Sequence, residues 1–112
     1  GIDMFDCVLP TRLARHGTAL TWSGRLNLKR AEFERDDQPI DPTFDHPLSS
    51  RYSRGYIRHL LKAGEPTAGR IITLHNLAWL ADLTLRMRSA IAAGTFQELR
   101  SQVHLSWSER PV

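Results

Sequence analysis

The stretch Gly1-Ile2-Asp3-Met4-Phe5-Asp6-Cys7-Val8-Leu9-Pro10-Thr11-Arg12 decides how the rest of this chain is read. Its apolar residues Ile2, Met4, Phe5, Cys7, Val8 and Leu9 are interrupted by Asp3 and Asp6 and stopped by Pro10. That is the pattern of a short buried strand with acids near its end. A buried strand needs neighbours on both sides, so the chain is expected to begin in the middle of a sheet. Cys7 lies in the predicted strand with no obvious paired histidine. It reads as a small buried packing residue rather than a catalytic thiol.

Working outward, residues 18–22 and 25–28 alternate apolar and polar side chains about Ser23-Gly24, which predicts a β-hairpin with a two-residue turn. Residues 31–50 carry Asp36-Asp37, Pro39, Pro42 and Pro47 with little periodicity and read as loop. Three helices follow. The first is expected over residues 50–62, with Tyr52, Tyr56, Ile57, Leu60 and Leu61 on one face and Gly64 as its stop. The second is expected from 67 or 69 to 93, with Leu74, Leu77, Ala78, Ala81, Leu85 and Ile91 at helical spacing and Gly94 ending it. Thr95 and Glu98 have capping-box spacing and open a third helix to about Leu105, leaving 106–112 as a frayed tail.

The bulk properties bound the function. The 112 residues suit one modest domain, whose stability is expected to be marginal unless a partner covers it. Fifteen Lys and Arg against 12 Asp and Glu give a net charge of +3, a mild excess compatible with RNA but shared by many proteins that never bind it. One cysteine excludes an intrachain disulfide and cannot supply a thiolate cluster. No apolar run approaches the roughly twenty residues needed to span a bilayer, and the signal-peptide order is missing, so a cytoplasmic protein without a membrane partner is expected.

The opening stretch through Arg12 resembles, almost residue for residue, a signature of the tRNA-guanine transglycosylases. Ser53-Arg54-Gly55-Tyr56-Ile57-Arg58-His59-Leu60 resembles the family's Ser-Arg-Ala-Tyr-Ile-His-His-Leu segment, and Leu74-His75-Asn76-Leu77 resembles its helix-opening segment. The resemblance runs in order along nearly the whole chain. It implies a (β/α)8-barrel parent in which Asp6 is the nucleophile that attacks the ribose anomeric carbon and displaces guanine at the wobble position of the anticodon. The chemistry is that of a retaining glycosidase, in which a carboxylate stabilises an oxocarbenium-like transition state and then holds the sugar covalently. Without the resemblance, an aspartate at the end of an apolar strand reads as a turn or cap residue. Arg12 and Arg15 flank the same loop, and resemblance assigns them to tRNA phosphate or base contacts. The alternative for this pair is an exposed basic loop. Asp3 belongs to the motif with a structural role.

The chain departs from the family at its structural zinc site. The resemblance places cysteines at the positions of 44, 46 and 49 and a histidine at 75, whereas this sequence has Phe44, His46, Ser49 and His75. Two imidazoles can bind zinc, but phenylalanine offers no ligand and serine is a poor one. The expectation is a degenerate, empty site at His46 and His75 in which Phe44 and Leu48 form an apolar plug. Asp45 could lend an oxygen to a trapped metal, and His75 reads either as a residual ligand or, preferably, as a helix-terminus histidine satisfied by the backbone.

The sequence therefore predicts an α+β fragment of a (β/α)8 barrel. Residues 1–30 would hold the last barrel strand, active-site loop and hairpin, 31–50 the degenerate zinc loop, and 51–112 a helical subdomain. The implied function is exchange of guanine for a 7-deazaguanine, preQ1 or queuine, on tRNA, with no cofactor. Partners would be tRNA, the incoming base, and a second copy or the missing part of the barrel. The family's proton-transferring aspartate and base pocket precede the motif, so the isolated chain is expected to be inactive. A rival reading is a non-catalytic protein- or RNA-interaction module derived from the same enzyme.

Overall fold

The computed structural model describes residues 2–108. Among them, four helices and one antiparallel hairpin follow the order α1 (Leu9–Arg15), β1 (Thr18–Thr21), β2 (Gly24–Asn27), α2 (Arg54–Lys62), α3 (Pro66–Ala93) and α4 (Phe96–Ser108), with short 3-10 turns at Ala31–Phe33 and Ser49–Arg51. This is an α+β arrangement.

The opening motif departs from its expected form. Residues 2–8 form no strand, and Ile2, Met4 and Phe5 are 75%, 87% and 81% exposed. The described sheet holds only β1 and β2, so this segment has no ladder partner among the described residues. Pro10 does not stop a strand but sits in the first turn of α1, where its missing N–H goes unneeded. Cys7 is exposed, which corrects the packing role expected of it.

The hairpin forms one residue out of step with the predicted turn. Thr21 pairs with Gly24, so Trp22-Ser23 make the turn, and the Thr21 hydroxyl donates to the Gly24 carbonyl at 2.7 Å. Leu20 lies opposite Arg25 and keeps its backbone N–H and C=O for partners other than β2.

The helices are close to expectation because their ends are set by local chemistry. α2 starts later than predicted, at Arg54, since Ser53 caps it by accepting from the Tyr56 N–H at 3.0 Å. α3 ends where Gly94 adopts φ 74°, a left-handed conformation that lets the Gly94 and Thr95 N–H groups bond back to the last turn. α4 continues to Ser108, so 106–108 are helical rather than frayed; the rest of the predicted tail, 109–112, lies outside the described residues.

A single core joins α1, the hairpin, the loop, α2 and α3 through Ala14, Ala19, Leu26, Leu28, Phe33, Ile40, Ile57, Leu60, Ala68, Ile71 and Ile72. The buried face of α3 is Ala68, Ile71, Ile72, His75, Asn76 and Trp79. The stripe whose helical spacing marked this helix lies on the opposite side at 100° per residue, and Leu74, Leu77, Leu85 and Ile91 are exposed. α3 is thus apolar on two faces, and the described residues cover one. α4 packs back through Trp107, which lies 5.6 Å from Trp79 and donates its indole N–H to Thr21 O at 3.2 Å.

Candidate functional site

Asp6 sits in the exposed segment before α1 and makes no hydrogen bond or ion pair with another described residue. Arg12 and Arg15 are three residues apart in the last turns of α1, so they project from one side of it, and both are exposed. α1 itself is fixed: Ala14 is fully buried and Pro10 is buried. The arrangement is an acid and two guanidinium groups displayed on neighbouring exposed backbone, with no contact holding the acid to either arginine among the described residues.

α1 is held by a residue that the sequence reading passed over. Asn76, fully buried, donates through Nδ2 to Pro10 O at 3.0 Å and to Thr18 O at 3.2 Å, and its Oδ1 accepts from Leu20 N–H at 2.8 Å. One side chain of α3 therefore ties together the start of α1 and the outer edge of β1. A buried asparagine in a helix that otherwise reads as apolar was the available signal, since such a group is retained only when its amide is satisfied. Asp41 was also missed. Its carboxylate accepts from Trp22 N–H at 2.7 Å and from the Thr43 N–H and hydroxyl at 2.9 and 2.7 Å, pinning the hairpin turn to the loop.

The residues at the positions where the resemblance implies zinc ligands do come together. His75 is not at a helix end, as the sequence suggested, but well inside α3 and fully buried. Its Nε2 lies 2.8 Å from Leu20 O and its Nδ1 lies 3.0 Å from Ser49 Oγ. Adjacent residues His75 and Asn76 thus take the carbonyl and the N–H of the same strand residue. The His46 Nδ1 accepts from Ser49 N–H at 3.3 Å, and Phe44 stands edge-on to His75 with ring centroids 5.7 Å apart. Burial lowers the His75 pKa from 6.5 most strongly, and nearby His46 adds to this; the Leu20 carbonyl and Asp41 oppose it. A tetrahedral zinc ion does not fit this donor set. Phe44 has no donor atom, both His75 nitrogens have protein partners, and no group of three His, Cys, Asp or Glu able to hold a metal occurs among the described residues.

No described helix is long and apolar enough to cross a membrane. Comparison with known proteins gives the context for these residues. The family model described as Queuine tRNA-ribosyltransferase matches residues 1–109. A queuine tRNA-ribosyltransferase of Caulobacter vibrioides is 51% identical over 100 residues, which is 89% of this chain and 27% of the relative. That of Thermosipho africanus is 48% identical over 92% of this chain and 28% of its own length. That of Nitratidesulfovibrio vulgaris is 47% identical over 100% of this chain and 30% of its own length. The chain spans less than a third of the length of these curated relatives. With a match reaching from the aspartate motif through α4, this chain belongs to the queuine tRNA-ribosyltransferase family.

Proposed function

We propose that the chain is the carboxy-terminal part of an enzyme that exchanges guanine at the wobble position of a tRNA anticodon for a 7-deazaguanine, with Asp6 as nucleophile. The observation that carries this reading is the match over residues 1–109, which includes the Asp6 motif and the exposed Arg12 and Arg15 beside it. In the first displacement an Asp6 carboxylate oxygen bonds to the ribose anomeric carbon as the glycosidic C–N bond breaks, and guanine leaves with a proton supplied by an acid elsewhere in the enzyme. In the second, a ring nitrogen of the incoming base attacks the same carbon and gives its proton to the conjugate base of that acid, while the Asp6–sugar C–O bond breaks and Asp6 leaves as carboxylate, so two inversions retain the configuration. Arg12 and Arg15 meet the tRNA backbone or bases, a task for which the guanidinium fork is suited.

The isolated chain does not turn over, because one carboxylate cannot run both proton transfers and the displacement. The remainder, present in the relatives, supplies the barrel and the second acid. It also covers the exposed Ile2, Met4 and Phe5 and the outer face of α3, apolar surface that a self-sufficient domain of this size seldom leaves open. The test is to supply that remainder as a fusion or second chain and measure incorporation of labelled guanine into tRNA. Activity is expected only with both pieces and with Asp6 present; exchange by Asp6→Ala at the unmutated rate removes the covalent role.

A further inference from the structure

We propose that the loop bearing Phe44, His46 and Ser49 is fastened to α3 by a metal-independent clasp, running from Leu20 O through both His75 nitrogens to the Ser49 hydroxyl, where the family resemblance implies zinc. The direction of each hydrogen bond follows from the chemistry of its ends. A carbonyl only accepts, so the His75 nitrogen 2.8 Å from Leu20 O, Nε2, carries the proton. In the neutral ring Nδ1 is then a bare lone pair, and the Ser49 hydroxyl at 3.0 Å donates to it. The lone pair a metal would need is already engaged.

The rest of the loop is organised around that bond. Ser49 is 2% exposed, so its hydroxyl has little access to water. His46 Nδ1 is 3.4 Å from Ser49 Oγ, longer than the bond to His75, and accepts instead from Ser49 N–H at 3.3 Å. The His46 N–H donates to Ser50 Oγ at 3.0 Å, and Ser50 N–H returns to His46 O at 2.9 Å, closing residues 46–50 on themselves. Phe44 then covers the site, edge-on to His75 and stacked on His46 with centroids 6.3 Å apart. An apolar cover strengthens a buried hydrogen bond by keeping water from competing for it. Asp41, beside this loop, has both oxygens engaged by Trp22 and Thr43, and Asp45, within the loop itself, is exposed. A ligand set that would tie loop to helix through a metal is thus replaced by a serine, a phenylalanine and one histidine tautomer.

The experiment uses the 112-residue chain and does not depend on catalysis. Metal content, thermal midpoint with and without EDTA or added Zn²⁺, and the histidine nitrogen resonances of uniformly labelled protein are measured together. The expected result is no bound zinc, a midpoint unmoved by chelator or zinc, and His75 as the Nε2-protonated tautomer whose Nδ1 resonance ignores zinc. Ser49→Ala should lower the midpoint by roughly 5–15 °C, since it strands a buried nitrogen without a donor. One equivalent of zinc per chain, a chelator-sensitive midpoint, or an Nδ1-protonated His75 would each overturn the proposal. These three measurements on the unmutated chain decide the matter even if Ser49→Ala fails to fold.

Discussion

Replacing Asn76 with alanine is the sharpest perturbation of the device that positions the Asp6 segment. The amide makes three hydrogen bonds, at 2.8, 3.0 and 3.2 Å, from a position with no solvent exposure. Truncation leaves Leu20 N–H buried without an acceptor, at about 1–3 kcal/mol, and removes a donor from Pro10 O and Thr18 O, for about 1 kcal/mol more in total. The loss is then about 2–4 kcal/mol, which for a domain of this size lowers the thermal midpoint by roughly 10–25 °C. Far-ultraviolet circular dichroism melts at fixed pH measure it, and amide hydrogen exchange locates it. Leu20 and the start of α1 should lose protection before the centre of α2. A midpoint within about 2 °C of the unmutated chain, corresponding to less than about 0.5 kcal/mol, would refute the tie between α3 and α1.

Stability should fall on acidification, because the folded state holds His75 below the usual histidine value of 6.5 and the unfolded chain binds the proton more readily. The contribution is present above about pH 6.5 and is lost as pH falls through the lowered folded value, so denaturant midpoints at about pH 7.5 should exceed those at about pH 5.5; a flat profile would contradict this. Gly55→Ala should destabilise by about 1–2 kcal/mol, as the added Cβ would sit 2.9 Å from Glu34 O and 3.1 Å from Asp36 O. Equal urea midpoints for this variant and the parent would show that the 33–36 turn yields freely. Asp41→Ala should cost about 2–4 kcal/mol by freeing the Trp22 and Thr43 donors, with a change in tryptophan fluorescence as the hairpin turn loosens.

The elements that sequence reading found are those whose signals are local. Gly94 beyond an apolar-periodic run ends α3 at Ala93 wherever the helix packs, and Ser53 caps α2 from its own side chain. The hairpin was legible as alternation, but its register depended on the Thr21 hydroxyl bond and on α3 claiming the outer edge at Leu20. The spacing of Leu74, Leu77 and Leu85 marks α3 as a helix but not which of its faces is buried. Here the core takes the face bearing His75 and Asn76, whose polar atoms are all spoken for by β1, α1 and Ser49. Nothing in the order of residues announces that pairing, since its partners in β1 and α1 lie more than fifty positions away and Ser49 lies 26 away. The opening motif was read as a strand because its composition suits one, yet strand formation needs a neighbour that the described residues do not provide.

The most direct test is to look for the sugar on Asp6. With the remainder of the enzyme supplied, tRNA added without incoming base and the mixture denatured, the account predicts a protein–tRNA adduct that maps by mass spectrometry to the peptide containing Asp6 and disappears when free base is added. Asp6→Asn should give no adduct. An adduct formed as readily by that variant, or mapped to another carboxylate, would contradict the assignment of the nucleophile.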